Sequence, residues 1–172
     1  MGDGIGLTGV HALIALREEL RRAGLAELQL VAFASIPLSG PDGASTRRWL
    51  EAAMDAGCDV VGGCPHLDPD PPAATGAAFE VATRRARPID LHTDEQLDPE
   101  ALWLCDLVAL VAASGFAHGA VASHCVSLGV QDAARQAEVA QTVADAGVAV
   151  VTLPQTNLYL QARGVASGAR EA

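Results

Sequence analysis

The chain has 172 residues, a formal net charge of −10 and a mean hydropathy of +0.24, and half of its residues are hydrophobic. This combination predicts one globular domain with a buried core and excludes a disordered chain. The negative charge argues against a nucleic acid partner, because a phosphate backbone attracts basic surfaces. No apolar run reaches the roughly 18 residues that span a bilayer, so we expect no membrane partner.

Two features of the sequence bear on the compartment, the start of the chain and its thiols. The first residues lack the basic segment of a signal peptide. The four cysteines have no CxxC spacing and are expected to be reduced thiols. Both features predict a cytoplasmic protein.

Helical and strand-like segments alternate along the chain. Apolar spacing and capping signals predict helices over residues 8–24, 46–56, 73–85, 98–114 and 131–146. Continuous apolar runs, which are typical of strands buried on both faces, occur at 28–33, 59–63, 89–92, 119–123 and 148–152. Loops rich in proline with glycine or aspartate are predicted at 35–42 and 68–72, and a polar, partly helical segment at 154–163.

The predicted strands begin about 30 residues apart, which is the length of one βα unit. Strict alternation calls for a parallel sheet with helices outside it. Two architectures fit this pattern, a doubly wound open sheet and part of an eight-stranded barrel. Even spacing, and polar clusters after several strands, favour the barrel, which takes about 250 residues when complete. The predicted fold class is therefore α/β, a partial TIM (β/α)8 barrel of five parallel strands with outer helices.

The candidate chemistry lies at the end of the third predicted strand, where His92 and Glu95 are three residues apart. In parallel α/β folds the catalytic groups come from the C-terminal ends of the strands. A neutral imidazole there can bind a transition metal, and a glutamate beside an activated water can shuttle a proton. His124 ends the next strand, and since adjacent strands lie about 4.8 Å apart it can reach the same site. The alternative is that each histidine caps a strand and bonds to a loop.

Four further polar residues follow other strands and are candidates for binding a substrate. His66 follows the second strand, and a loop contact with Asp68 is its alternative. Ser35 follows the first strand, and Gln155 and Asn157 follow the last. For the last two, ordinary loop polarity is an equal alternative.

The run His92-Thr93-Asp94-Glu95 resembles the His-x-Asp-Glu of cytosine deaminase and its relatives in the amidohydrolase superfamily, at the end of barrel strand five. The resemblance continues on both sides of this run and covers roughly residues 4–163. It includes residues 28–33 as strand three, 59–66 as strand four, 122–124 as strand six and 157–163 after strand seven. We therefore expect a partial hydrolase barrel over 1–163 and a flexible tail over 164–172.

The resemblance implies a hydrolase that uses zinc or iron to break a non-peptide C–N bond in a small ring or amide, as in deamination. By the motif, His92 would be a metal ligand and Glu95 would move the proton between water, ring nitrogen and leaving group. His124 would hold the attacking water and the developing charge. The implied substrate is nucleobase-like or a cyclic amide. Cytosine itself is not implied, because Ala34 and Ser35 stand where cytosine deaminase has a glutamine that grips the pyrimidine.

The family's His-x-His of strand one and its aspartate of strand eight have no match in this sequence. We therefore expect the chain to begin after strand two, to end after strand seven and to hold its metal weakly when alone. Two interpretations stay open: a deaminase-type enzyme represented by its middle section, and a non-catalytic remnant or half of a split barrel that needs a partner chain. Unpaired sheet edges would also favour a homo-oligomer.

Overall fold

A computed structural model describes residues 4–161 of the chain. Its centre is one parallel sheet whose five strands lie in sequence order: β1 (Val31–Phe33), β2 (Val60–Gly63), β3 (Ile89–Thr93), β4 (Ala120–His124) and β5 (Ala149–Val151). A doubly wound sheet would reverse its strand order near the middle. Because the order is sequential and every pair is parallel, the predicted segment of a barrel is confirmed.

Helices follow the strands, as the alternating pattern predicted. They are α1 (Thr8–Ala23), α2 (Ala44–Ala56), α3 (Pro71–Arg85), α4 (Leu104–Ser114), α5 (Ala133–Ala146) and α6 (Pro154–Gln161). Helix α2 packs against β1 and β2, α3 against β2 and β3, and α4 lies between α3 and α5. Two short 3-10 helices that the sequence did not predict, Pro65–Leu67 and Val126–Val130, follow β2 and β4. Among the described helices, none combines the length and the apolar character that crossing a bilayer requires.

Alternation along the strands separates a core face from a site face. In β3 the side chains of Ile89 and Leu91 are fully buried, whereas Asp90 and His92 are only partly buried. Successive residues of a strand point to opposite faces of the sheet, so the two pairs lie on different sides. The buried pair joins Leu50 of α2 and other apolar residues from the helices in one core cluster. The opposite face of the sheet is free to carry polar residues.

A glycine in β2 leaves room for a side chain of β1 to reach β3 across the site face. Phe33, Gly62 and Asp90 are register partners in three neighbouring strands. A Cβ on Gly62 would collide with the side chain of Val31 and come within 3.1 Å of the Asp90 carbonyl oxygen, so only glycine fits between them. The Phe33 ring can then pack edge-on against the His92 ring, with 4.9 Å between centroids.

The predicted start of the fourth helix is wrong by six residues. Helix α4 begins at Leu104, although its predicted range began at Asp98. Asp98 instead accepts a hydrogen bond from the backbone of Glu100 in a local turn. The first amides of the helix are bonded by Asp94, a residue that precedes the turn. The acceptor that fixes where α4 starts therefore comes from the end of β3.

Smaller differences at other ends have similar local causes. Strand pairing covers only Val31–Phe33 of the predicted 28–33, because the Asp59 carboxylate takes the amide of Leu30 at 2.8 Å. Helix α3 begins at Pro71 rather than at 73, since proline is well tolerated in the first turn and Asp70 caps the helix. Residues 162–172, including the predicted tail, lie outside the described residues.

Candidate functional site

The register of β3 and β4 brings the three main candidate residues together. Thr93 pairs with His124 across the two strands, so the two strands end at the same edge of the sheet. His124 Nε2 lies 3.3 Å from His92 Nδ1, and His124 Nδ1 lies 3.5 Å from Glu95 Oε1. One ligand atom from each of the three residues can be chosen so that all lie within 4.8 Å of one another. The structure thus assembles the predicted cluster.

The chain reaches this arrangement through three residues with left-handed backbone angles. The φ angles are 55° at Asp94, 77° at His124 and 49° at Cys125. For residues other than glycine such angles cost about 1–3 kcal/mol each and persist only where neighbouring contacts enforce them. Here the amide of Cys125 donates to the Thr93 carbonyl at 3.0 Å, and that of Val126 to the Asp94 carbonyl at 2.9 Å. The turns after β3 and β4 are therefore locked to each other.

Asp94 is the structural support of the site. Its side chain is fully buried and accepts hydrogen bonds from the amides of Trp103 at 2.9 Å and Leu104 at 3.1 Å. Burial raises the pKa of Asp94 to about 6, against the opposing effect of the two amides. The carboxylate joins the end of β3 to the start of α4. Asp94 belongs to the His-x-Asp-Glu run, but no role was predicted for it from the sequence. Its position between a predicted strand and a predicted helix was a signal that it could cap that helix.

Glu95 lies between two histidines. The His66 side chain is only 3% exposed, and its Nδ1 donates to the His92 carbonyl at 2.9 Å. Its other nitrogen, Nε2, lies 3.8 Å from Glu95 Oε2, while His124 approaches the other carboxylate oxygen. The alternative partner of His66, Asp68, accepts hydrogen bonds from Ser39 instead. His66 is therefore a neighbour of the cluster.

Helix α6 closes the cluster on the side of β4. Asn157 is 9% exposed, and its Nδ2 lies 3.1 Å from His124 Nδ1. Gln161 belongs to the segment that resembles the one after strand seven but was not among the predicted site residues, and it donates from Nε2 to the Glu95 carbonyl at 3.0 Å. Gln155 is exposed on the same helix. Ser35 lines a separate small recess that also contains Cys64.

Burial fixes the charge state of two groups at the site. Burial, and next the proximity of His124, lower the pKa of His92, so its imidazole is neutral at pH 7. A neutral imidazole is the form that ligates metals. Burial and then the charge of Glu95 raise the pKa of the Cys64 thiol to about 11, which keeps it protonated. At pH 7 the His92 ring is therefore neutral and the Cys64 thiol is protonated.

The donor set fits a divalent metal ion. Imidazole nitrogen and carboxylate oxygen are the usual ligands of zinc and of non-haem iron. Tetrahedral ligands with bonds of about 2.1 Å lie about 3.4 Å apart. The 3.3 Å between His92 and His124 is close to this spacing, so a metal held by His92 would have the His124 ring beside it, as a second ligand or as a hydrogen-bond donor, with Glu95 within the same 4.8 Å.

A groove beside the cluster has room for a small molecule. Its volume is about 360 Å³, and His124 and Asn157 contribute to its wall. Most of the remaining wall is apolar, from Leu97, Val126, Val130, Pro154 and Leu158. Ligand sites of this kind combine an apolar lining with a few polar groups that orient the ligand.

Comparison with known proteins gives consistent relatives. No family model matches the chain. It is 36% identical over 146 residues to a pterin deaminase from Rhizobium rhizogenes, a match that covers 84% of this chain and 33% of the relative. The chain thus spans about a third of the length of that relative.

Two solved structures share the fold at similar identity. A 5-methylcytosine deaminase from Klebsiella pneumoniae liganded with phosphonocytosine has a TM-score of 0.80 and 29% identity, over 94% of this chain and 39% of that one. N-isopropylammelide isopropylaminohydrolase from Burkholderia multivorans has a TM-score of 0.76 and 33% identity, over 87% and 38%. In sequence and fold, this chain is homologous to one part of the barrel of cytosine deaminase-like amidohydrolases.

Proposed function

We propose that the chain carries part of a metal-dependent deaminase site that hydrolyses a non-peptide C–N bond in a small ring. One observation carries the proposal: His92, Glu95 and His124 converge at the C-terminal ends of β3 and β4, on a chain homologous to enzymes of this type. The names of those relatives refer to pterin, 5-methylcytosine and N-isopropylammelide. All three are planar nitrogen heterocycles that bear an amino substituent.

Each residue of the cluster has a distinct proposed role. His92, neutral because of its burial, is the metal ligand. A bound zinc or iron ion supplies Lewis acidity, which lowers the pKa of water from about 15.7 to about 7. Glu95 is 21% exposed and lies between two imidazoles, so it can take a proton from water and return it to the leaving amine. His124 holds the developing negative charge by donating a hydrogen bond.

The substrate that fits is small, flat and largely uncharged. The groove beside His124 measures about 360 Å³ and is mostly apolar, which suits one or two fused rings. His66 lies close enough to Glu95 to contact a substrate there. We propose Ser35 and Gln155 as substrate contacts at the wider rim formed by the strand ends, outside the groove itself, on the strength of their positions after β1 and β5.

We also propose that further ligands and strands come from other residues, either elsewhere in a longer protein or on a partner chain or second copy. The 172 residues contain no His-x-His pair. The outer strands of the described sheet leave Val31 39%, Phe33 37% and Val151 46% exposed, and such edges accept additional strands. All four cysteines are free, in keeping with a reducing cytoplasm.

The test combines metal binding with turnover. Zinc binding by the 172-residue chain, measured by calorimetry, should be weak and should be lost in His92→Ala. It should be kept in His118→Ala, whose histidine is exposed and precedes β4, at the opposite end of that strand from His124. A chimera that adds the flanking barrel strands of the pterin deaminase relative should bind zinc tightly. It should release ammonia from pterin or 5-methylcytosine, and Glu95→Gln should abolish the release.

Two results would count against this proposal. Zinc binding that survives His92→Ala would remove the assigned ligand. A folded, zinc-loaded chimera without turnover on any amino-substituted heterocycle would remove the activity. A third outcome is turnover by the 172-residue chain alone that is abolished by His92→Ala. It would support the site assignment and contradict the proposal that further strands are needed.

A further inference from the structure

A chain of side-chain amides connects the backbone at Glu95 to the ring of His124. Gln161 Nε2 donates to the Glu95 carbonyl at 3.0 Å. Gln161 Oε1 accepts from Asn157 Nδ2 at 3.3 Å. The same Asn157 nitrogen lies 3.1 Å from His124 Nδ1. Helix α6 therefore reaches the candidate site through two residues that are one turn apart.

The direction of every bond in this chain follows from its first member. A backbone carbonyl can only accept, so the Gln161 atom that faces it is the NH2 group. The oxygen of Gln161 then faces Asn157 and can only accept as well, which requires the NH2 group of Asn157 at that position. Because the same NH2 group faces His124 Nδ1, this ring nitrogen is an acceptor and carries no hydrogen.

Two features disfavour the opposite orientation of the Asn157 amide and, with it, a hydrogen on His124 Nδ1. Turning the Asn157 amide over would place its oxygen against the oxygen of Gln161, and the two acceptors would repel. Glu95 Oε1 also lies near His124 Nδ1, but at 3.5 Å, beyond the usual limit of about 3.2 Å for such bonds. Within residues 4–161, the Asn157 oxygen is buried and has no hydrogen-bond partner, so the contacts of this amide with the site run through its NH2 group.

We propose that Asn157 is a positioning residue that makes the neutral His124 ring carry its hydrogen on Nε2. This nitrogen lies 3.3 Å from His92 Nδ1, on the side of the proposed metal ligand. His124 thus presents a hydrogen-bond donor to the site and has no lone pair there for a metal. The inference rests on the proposed function for its meaning, and it gives Asn157 a different role from the substrate contact expected from sequence.

The direct test is the state of the ring nitrogens in the metal-free chain. Nitrogen-15 NMR of histidine-labelled protein at about pH 8.5, well above the ordinary histidine pKa of about 6.5, distinguishes protonated from unprotonated ring nitrogens. His124 is assigned by its loss in His124→Gln. The wild type should show hydrogen on Nε2, Asn157→Asp should move it to Nδ1, and Asn157→Leu should give a mixture. Thr156→Asp, which adds a negative charge on the exposed side of α6, should change nothing.

Zinc affinity gives a second measurement that a merely structural role would not move in this direction. A carboxylate behind His124 would leave the Nε2 lone pair free for a metal, as in the carboxylate–histidine–metal arrangement, so Asn157→Asp should bind zinc about tenfold more tightly. The gain should vanish in Asn157→Asp with His124→Gln, whereas a simple charge effect would remain.

Two outcomes would overturn the inference. The first is a wild-type His124 with hydrogen on Nδ1. The second is a folded Asn157→Asp protein whose His124 is unchanged. If His92→Ala still abolishes zinc binding in either case, the proposed function stands while this inference falls. If the hydrogen lies on Nε2 but zinc does not bind at His92, this inference stands while the proposed function falls.

Discussion

The junction of β3 and β4 differs sharply from the outer strands of the sheet. Five residue pairs join β3 to β4, from Ile89–Ala120 to Thr93–His124, and their core-facing side chains are almost completely buried. Strand β5 has three residues, all exposed, and β1 has one buried residue between two exposed ones. The candidate site lies at the junction, where strands on both sides and helices behind the sheet hold it.

This difference shows that the described part of the chain holds the candidate site residues in place through contacts at the β3–β4 junction. Catalytic side chains need neighbours that lock their positions, and His92, Glu95 and His124 have such neighbours in Asp94, His66 and Asn157. On the outer strands the side chains of Val31 and Val151 are 39% and 46% exposed. Stability and site geometry should therefore respond strongly to changes at the junction and weakly to changes at the edges.

The largest expected effect is the loss of a core side chain in β3. Leu91 is fully buried, so Leu91→Ala should lower the free energy of unfolding by about 2–5 kcal/mol. Val151 on β5 is 46% exposed, and Val151→Ala should change it by less than about 0.5 kcal/mol. Urea denaturation measures both. Equal losses for the two variants would show that the junction is not the stable part of the sheet.

A smaller effect is expected when the support under the site is removed. Asp94→Ala leaves the buried amides of Trp103 and Leu104 without their acceptor, which should cost about 1–3 kcal/mol. Asp98→Ala is the matched control, because Asp98 bonds one amide of an exposed turn. Hydrogen exchange at the first amides of α4 should accelerate only in the Asp94 variant. Comparable exchange in both variants would refute the capping role.

The free energy of unfolding should depend on pH through Asp68, whose carboxylate anchors the loop after β1. Burial alone would raise the pKa of Asp68, but hydrogen bonds from Leu38, Ser39 and Asp70 outweigh it and hold the pKa below its usual value. The ionised form is thus favoured by folding, so this stability is present above about pH 4 and is lost as the pH falls through the folded-state pKa.

Asp68→Asn measures that contribution. At pH 7 the variant should be less stable than the wild type by about 1–2 kcal/mol, and the difference should shrink below about pH 4. Denaturation curves across this range provide the comparison. A difference that grows on acidification would reverse the sign and rule out the ionised Asp68 as the stabilising form.

The smallest effect on stability is expected at the β5 edge. Val151→Lys should leave the free energy of unfolding within about 0.5 kcal/mol, because the side chain is already half exposed. It should nevertheless reduce self-association, since charge on an edge strand blocks pairing with another chain. Sedimentation velocity tests this, with Gln141→Lys on the exposed face of α5 as the charge control. A wild-type chain that is monomeric at all concentrations would contradict self-association through the β5 edge.

The sequence was sufficient for features that depend on local pattern. Apolar runs about 30 residues apart predicted five parallel strands, and all five occur in order. His92 lies next to the last residue of β3 and His124 ends β4, so parallel pairing placed both at one edge of the sheet, and the left-handed backbone at His124 completed the contact. Prolines were misleading at Pro71, where a residue expected in a loop begins a helix under the cap of Asp70.

Features that depend on contacts between distant residues could not be predicted. Asp94 bonds amides nine and ten residues further along, and only the folded turn shows that they are its partners. Asn157 meets His124 across 33 residues, and Gln161 meets Glu95 across 66. The sequence marked the polar character of this segment, but the packing of α6 against β4 decides which side chains reach the site.

The most direct measurement of the central claim is the position of a bound metal. Crystals of the chain soaked with zinc, with anomalous diffraction recorded at the zinc edge, would locate the ion without reference to activity. We predict one zinc ion bonded to an imidazole nitrogen of His92 at about 2.1 Å, beside Glu95, and no ion there in crystals of His92→Ala. Zinc bound only elsewhere, such as at His118 or at a cysteine, would contradict the claim that the end of β3 is a metal-dependent site.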